Sequence, residues 1–222
     1  MGFTQMRCCI LQTHSRVNDD LFRLTLQNHA EYCDRHGYDM LQYHRTYEES
    51  MRWGAEDYVL DAIERYDAVL AVGSDVIFTN PAVPLSFFDD GERSVFLGEE
   101  GLNSSLCNFD VVLWTRADGV RQFVRLLRET RPRYASHPWG LQQGVNLLAG
   151  DPDAAKLLRL HPPRVMQSAP FPNVPGMWRP GDFALHFVGM SNADKFAGCR
   201  QFLETGTVRW LGKVGQNDAL RT

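Results

Sequence analysis

The sequence is poor in lysine, lacks long hydrophobic runs and contains no paired-cysteine motif. None of its apolar stretches approaches the roughly 20 residues that a membrane helix needs, which argues against a membrane span. The apolar run near the amino terminus stops at Leu11 and is too short for the hydrophobic part of a secretory signal. We therefore predict a soluble, cytoplasmic protein.

The five cysteines are odd in number and show no C-x-x-C spacing. A disulfide framework or a zinc site would need a regular set of closely spaced cysteines or histidines, so both are disfavoured. The cysteines lie mostly within apolar runs. We expect them to be reduced and buried, which agrees with a cytoplasmic location.

The charge balance is slightly acidic, with 23 basic and 27 acidic residues and a formal net charge of −4. This balance argues against a dedicated nucleic-acid binder. Lysine contributes only three of the basic residues, against 20 arginines. A GC-rich genome would produce this bias without any function, although arginine also suits phosphate recognition. The hydrophobic share of 44% is typical of a soluble globular domain.

Apolar runs alternate with helical patterns over the first 75 residues. The predicted strands are Arg7 to Gln12, Tyr38 to Tyr43 and Ala68 to Val72. The predicted helices run from Asn18 or Asp19 to a stop at Gly37, and from Ala55 to Arg65. This alternation predicts an α/β fold with a mostly parallel central sheet flanked by helices, similar to a Rossmann fold.

The alternation weakens after Pro81. Further strands are predicted at Ser94 to Leu97, Leu106 to Trp114 and Phe183 to Val188. Further helices are predicted at Val120 to Glu129, Trp139 to Leu148 and, as a short one, Pro152 to Leu158. A polar turn is expected to lead from the last strand to Lys195. No linker or repeat divides the chain, so we predict a single domain over residues 1–222.

The buried strand that ends at Val72 is followed directly by Gly73-Ser74-Asp75. In open α/β sheets, ligands bind at the carboxyl ends of strands, so Asp75 lies where a ligand is expected. Its carboxylate could hold a divalent cation whose other positions are filled by diphosphate oxygens. The alternative is that Asp75 caps a turn before the bend at Thr79-Asn80-Pro81.

Five segments along residues 7 to 198 together resemble the GT-A fold nucleotide-sugar glycosyltransferases, in particular the retaining galactosyl- and mannosyltransferase-like families. They are Asn28 to Asp39, which is similar to N-x-x-x-Y-x-x-x-H-G-Y-D; Gly73-Ser74-Asp75 with Asn80-Pro81, similar to D-x-D and N-P; Leu102-Asn103-Ser104-Ser105, similar to L-N-S-G; Gln142-Gln143, similar to D-Q; and His186-Phe187-Val188-Gly189, similar to H-F-x-G. Each motif is weak singly, and the shared order carries the resemblance.

The resemblance implies a role for each matched residue. Contacts with the nucleotide sugar are implied for Thr13, His14, Ser15, Arg16, Ser74, Asn103, Ser104 and Lys195. A divalent cation, Mn²⁺ or Mg²⁺, is implied at Asp75 and His186, and catalytic roles are implied for Asp75, Gln142 and Gln143. The alternatives to these functional roles are a hydrogen-bonded core histidine at His186 and a solvated lysine at Lys195.

The sequence departs from the family pattern at two acids. Gly73 stands at the first acid of D-x-D, and Gln142 stands at the acid of D-Q, where an amide cannot ionise. Ser105 also replaces a glycine. Glu99, Glu100 or Asp182 could supply replacement acids, although solvated loop charges are the plainer interpretation. Either another group compensates for the missing acids, or activity is low.

One helical face between residues 116 and 133 is basic. Arg121, Arg125 and Arg128 recur at i, i+4 and i+7, and Trp139 follows closely. Such a patch suits a polyanionic acceptor, such as nucleic acid, and a solvated helix face is the alternative.

The resemblance as a whole implies a glycosyltransferase that moves a hexose from a nucleotide diphosphate sugar to a hydroxyl acceptor, with retention of configuration. A modified base in viral DNA and a glycan precursor are both candidate acceptors for such a bacterial or viral enzyme. The alternative function is that of a catalytically impaired GT-A fold protein, which binds a nucleotide sugar or glycan without turnover.

Overall fold

The computed structural model of the chain describes residues 6–14, 20–44, 55–102, 106–137 and 139–208. These residues form eight strands, β1 (Cys8–His14), β2 (Asp39–His44), β3 (Ala68–Val72), β4 (Val76–Phe78), β5 (Val95–Glu99), β6 (Cys107–Thr115), β7 (Leu158–His161) and β8 (Ala184–His186). The α-helices are α1 (Asp20–His36), α2 (Ala55–Ile63), α3 (Ala117–Tyr134), α4 (Gly140–Ala149) and α5 (Asn192–Thr205), and two 3₁₀ turns lie at Leu85–Phe87 and Ala154–Lys156.

Six strands form a central sheet in the order β2-β1-β3-β6-β5-β7. Strand β1 pairs in parallel with β2 and β3, and β5 pairs in parallel with β7. Strand β6 runs antiparallel to both of its neighbours. The sheet is therefore mostly parallel, as predicted.

Both faces of the central sheet are buried, and β3 shows how the sequence achieves this. Val69 packs into one apolar cluster together with residues of α2, α3 and α4. Ala68, Leu70 and Val72 point to the opposite cluster, which includes Tyr32 of α1. Successive side chains of a strand point to opposite faces, so a continuous apolar run fits a sheet that is covered on both sides.

A second sheet of two antiparallel strands, β4 and β8, lies beside the central one. Its register pairs Val76 with His186 and Phe78 with Ala184. A third apolar cluster joins it to α1 and α5, through residues that include Ile77, Leu185 and Phe202. This small sheet fixes β8, and so His186, directly beside the loop that follows β3.

Several element boundaries follow the predictions closely. Helix α1 ends at His36, and Gly37 adopts a positive φ of 68°, the left-handed conformation that ends helices. Helix α3 extends from Ala117 to Tyr134 and is longer than the predicted span. The five cysteines all lie in described residues, where they are buried and form no disulfide.

Three elements correct the sequence predictions. The predicted helix over Pro152 to Leu158 is a 3₁₀ turn, Ala154–Lys156, followed by the edge strand β7. The segment after Asp75, where no strand was predicted before the bend at Thr79-Asn80-Pro81, forms β4. The predicted polar turn to Lys195 is the first turn of α5, whose N-cap Ser191 accepts a hydrogen bond from the Asp194 amide.

No α-helix in the described ranges is both long enough and apolar enough to cross a membrane.

Candidate active site

A cavity of about 280 Å³ opens where β1, β3 and β8 meet the amino-terminal part of α4. Its apolar part is lined by residues that include Leu11, Val59, Ala71, Phe109 and Trp114. Its polar part is lined by Gly73, Asp75, Asp110, Gln142, His186 and Lys195. The cavity therefore has an apolar wall next to a cluster of ionisable groups.

Three of the predicted site residues converge in the polar part. The Nε2 atom of His186 lies 3.5 Å from Oδ1 of Asp75. The Nζ atom of Lys195 lies 2.5 Å from Oδ2 of Asp75. The His186 side chain is 4% exposed and those of Asp75 and Lys195 are 16% and 18% exposed, so these charges are largely shielded from water. Lys195 is therefore not a solvated surface lysine, and the roles implied for Asp75, His186 and Lys195 stay predictions.

Asp110 is a fourth member of the site, which the sequence reasoning missed. Its Oδ2 atom lies 3.5 Å from Nε2 of His186. Asp110 belongs to β6, and the signal in the sequence was a lone acid within the apolar run Leu106 to Trp114. An isolated carboxylate in a buried strand needs a partner or a ligand.

The local backbone brings Asp110 beside the loop that follows β3. The Gly73 amide donates a hydrogen bond to the Asp110 carbonyl oxygen at 2.8 Å, which extends the pairing of β3 with β6. A Cβ atom on Gly73 would lie 3.0 Å from Oδ1 of Asp110 and 3.1 Å from Oδ1 of Asp75. The absence of a side chain at position 73 is therefore what leaves room for the Asp110 carboxylate.

The charges in the cluster shift one another's protonation. Burial would raise the pKa of Asp75, but the positive charges of His186 and Lys195 hold it well below its usual range. Burial and the neighbouring Asp75 charge raise the pKa of Asp110. Burial would lower the pKa of His186, yet the two carboxylates raise it above its ordinary value. The arrangement therefore favours an ionised Asp75 beside a protonated His186, and it disfavours the ionised form of Asp110.

The donor set fits a divalent cation. One ligand atom from each of Asp75, Asp110 and His186 can be chosen so that all three lie within 4.8 Å of one another. Carboxylate oxygens suit Mg²⁺ and Mn²⁺, and imidazole is a common ligand of transition metals. The glycine at position 73 keeps the space between the carboxylates free of a side chain. The residues present are therefore suited to hold such an ion.

Only some of the other predicted site residues line the cavity. Gln142 and Trp139 line the cavity, whereas Gln143 and Ser74 are not among its lining residues. The Ser74 carbonyl accepts a hydrogen bond from Thr25 at 3.0 Å. Ser15, Arg16, Asn103 and Ser104 lie outside the described residues, as do the side chains of Thr13 and His14. Their assigned roles stay predictions.

The three arginines of the basic helical face line a separate, shallow concavity of about 510 Å³ over α3. Arg121 forms ion pairs with Glu64 and Asp118, and Arg128 pairs with Asp57. Arg125 lies 3.6 Å from Glu129. Each positive charge thus has an acidic neighbour, and Trp139 lines the site cavity instead of this concavity. A role of the arginines toward an acceptor stays a prediction.

Asp182, which was considered as a replacement acid, has a structural role. Its carboxylate is 7% exposed and accepts hydrogen bonds from the Arg164 guanidinium at 2.7 and 3.0 Å. Ser168 Oγ donates a further bond to it at 2.7 Å. Asp182 and the acids Glu99 and Glu100 are not among the residues that line the cavity.

The comparisons with known proteins rest on structure. No protein-family model matches the sequence, and no curated protein matches it significantly. A glycosyltransferase involved in glycosylation of the major capsid of PBCV-1 superposes with a TM-score of 0.66, at 16% identity, over 88% of this chain and 99% of that one. The chain has the GT-A glycosyltransferase fold.

Two further structures share the GT-A fold. The galactosyltransferase LgtC, solved in complex with donor and acceptor sugar analogs, matches with a TM-score of 0.55 and 11% identity, over 91% of this chain and 97% of that one. The glycosyltransferase GlyE of Streptococcus pneumoniae TIGR4, in its apo form, matches with a TM-score of 0.54 and 11% identity, over 91% and 64%. At these identities the likeness establishes the fold and leaves the chemistry to be argued from the site.

Proposed function

We propose that this chain is a glycosyltransferase that moves a hexose from a nucleotide diphosphate sugar to a hydroxyl acceptor. The observation that carries the proposal is the convergence of Asp75, His186, Lys195 and Gln142 on one cavity of a GT-A fold. These residues come from four separate segments of the chain. The structures that share the fold are described as glycosyltransferases, which supports the same class of reaction.

The polar part of the cavity suits the diphosphate of the donor. Asp75 and His186 would hold a divalent cation, Mn²⁺ or Mg²⁺, which would offset the negative charge of the leaving diphosphate. The Lys195 ammonium, already 2.5 Å from Asp75, supplies a second positive charge at the same place. The apolar wall beside Leu11 and Ala71 suits the flat nucleobase.

We further propose that the reaction retains the anomeric configuration. The amide of Gln142 cannot form a covalent glycosyl intermediate, so it would orient the sugar. The acceptor hydroxyl would then attack from the face that the diphosphate leaves. The bond from the anomeric carbon to the diphosphate oxygen breaks, the bond to the acceptor oxygen forms, and the acceptor proton passes to the departing phosphate.

The acceptor would enter beside Trp139, a residue that is 42% exposed and lines the cavity with Gln142. An exposed indole offers a flat apolar surface for a ring of the acceptor. Both acceptor classes predicted from the sequence, a modified base in viral DNA and a glycan precursor, contain such a ring. The cytoplasmic location also stays a prediction.

A donor-binding and hydrolysis experiment tests the proposal. Calorimetry with a panel of nucleotide diphosphate sugars, with and without Mn²⁺, should show cation-dependent binding of one donor. The same donor should then be hydrolysed slowly or transferred to a supplied sugar acceptor. The matching nucleoside diphosphate without sugar serves as the binding control. The replacement of two family acids by Gly73 and Gln142 favours the alternative of a binding protein, and tight binding with no turnover for any donor or acceptor would establish that alternative.

A further inference from the structure

Position 73 is the point at which this chain departs from the pattern it resembles. An acid there would project from the loop between β3 and β4, next to Asp75. The chain has glycine instead, and the space beside it is occupied by a carboxylate from another strand. The Oδ1 atom of Asp110 lies 3.0 Å from where a Cβ atom of residue 73 would be, and the Asp110 Cβ lies 3.3 Å from it.

The backbone fixes this juxtaposition. Val72 pairs with Val111 at the end of the β3–β6 ladder, and the Gly73 amide then bonds to the Asp110 carbonyl at 2.8 Å. The Asp110 amide in turn donates to Oδ1 of Asn108 at 2.9 Å. Residues 73 and 110 are therefore held side by side in the sheet, and a side chain from either one would enter the same region.

The negative charge of the Asp110 carboxylate is balanced by few neighbouring positive charges. In the described part of the chain it forms an ion pair with His186 alone, at 3.5 Å, whereas Asp75 has both His186 and Lys195. Its side chain, which lines the cavity, remains 45% exposed. Two carboxylates this close repel each other, and a bound cation would relieve that repulsion.

We propose that Asp110 replaces the acid that Gly73 lacks, so that the second carboxylate of the cation site comes from the antiparallel strand β6. The assignment deepens the proposed function, on which it rests for the identity of the cation. It makes the glycine at position 73 a requirement of the site, because an acid at 73 and an acid at 110 would compete for the same space.

An exchange of the two side chains tests this assignment with Mn²⁺ alone as the probe. Binding is followed by the loss of the free-ion electron paramagnetic resonance signal, without any sugar nucleotide. Asp110→Asn, which is nearly isosteric, should weaken Mn²⁺ binding at least tenfold while the thermal midpoint stays close to wild type. The control Asp118→Asn removes an acid whose side chain is 99% exposed on α3, and it should bind like wild type.

The double variant Gly73→Asp/Asp110→Gly then returns the acid to the loop after β3. It should recover most of the affinity lost in Asp110→Asn, whereas Gly73→Asp alone should bind no better than wild type because two acids then crowd one space. Wild-type affinity in Asp110→Asn would overturn the assignment. A folded double variant that binds no better than Asp110→Asn would overturn the claim that positions 73 and 110 serve the same place.

These outcomes remain separate from those of the proposed function. Mn²⁺ binding that depends on Asp110, in a protein that turns over no nucleotide sugar, would support the ligand assignment and contradict the proposed transferase reaction. Transfer that proceeds equally well in wild type and in a folded Asp110→Asn variant would support the transferase reaction and contradict the ligand assignment.

Discussion

Two buried histidines contact the same short strand, β4, and their pKa values are shifted in opposite directions. His29 of α1 is fully buried, and its Nε2 donates to the Val76 carbonyl oxygen at 2.9 Å. His186 of β8 is also buried and pairs with Val76 across the small sheet. Burial lowers the pKa of His29 to about 4, whereas the pKa of His186 is raised.

The difference comes from what faces each ring. His29 contacts Phe78 and a backbone carbonyl, and its Nδ1 atom has no hydrogen-bond partner among the described residues. A second proton on that ring would be buried without an acceptor. His186 faces Asp75 and Asp110, which more than offset its burial. Burial alone therefore does not decide the charge of a histidine, and the neighbouring carboxylates do.

The largest effect that would break this comparison comes from Asp75→Asn. The loss of one carboxylate should lower the pKa of His186, since the strongest charge that stabilises its protonated form is gone. It should also reduce donor turnover on the order of a hundredfold or more, because His186 and Lys195 lose the carboxylate that holds them beside the diphosphate. Imidazole titration by NMR measures the first effect, with the His29 ring as an internal reference.

Asp118→Asn is the matched control for Asp75→Asn, because it makes the same chemical change at an exposed position of α3. It should leave both the His186 titration and the turnover as in wild type. An unchanged turnover in folded Asp75→Asn would contradict the place of Asp75 in the site.

The next largest effect concerns the stability that depends on His29. The unfolded chain binds a proton there below about pH 6.5, whereas the folded chain does so only near pH 4. The unfolded state therefore binds more protons between these values, and stability falls as the pH falls through this window, by up to about 3 kcal/mol. His29→Gln can keep a donor to Val76 and does not titrate. Urea unfolding at pH 7 and pH 4.5 should show a smaller loss for the variant, and equal losses would contradict the assignment.

The sequence was sufficient for much of the fold, because apolar runs and helix stops are local signals. The run Ala68 to Val72 predicted β3, and Gly37 predicted the end of α1. The short strand β4 and the edge strand β7 were missed, since three or four residues carry too little periodicity. Helix α5 was missed because its apolar pattern is weak, and its burial depends on contacts of Phe202 and Cys199 with distant residues.

Site residues that lie in a sequence motif could be predicted. A residue that reaches the site only through the pairing of two strands could not. Asp75 was found through its place after a strand and His186 through the resemblance of its segment to H-F-x-G, and the structure brings the two within 3.5 Å. Asp110 could not be placed, because its contact with Gly73 depends on the antiparallel pairing of β3 with β6. That long-range register is information that a single sequence does not show.

The smallest expected effect comes from removing the charge of Lys195, which lies beside His186. Lys195 donates to Asp75 at 2.5 Å, and its charge lowers the pKa of His186 but is not among the causes of the shift at His29. Lys195→Met keeps a long apolar side chain and removes the charge. A cation should then bind more tightly, by about tenfold, because one like charge is gone from its immediate surroundings. Donor turnover should fall in the same variant, because the ammonium no longer faces the leaving diphosphate.

Lys156→Met, which removes an exposed lysine paired with Asp153, is the control and should change neither quantity. Mn²⁺ titration and donor hydrolysis measure the two effects, and a weaker Mn²⁺ affinity in Lys195→Met would show that the lysine supports the cation site instead of competing with it.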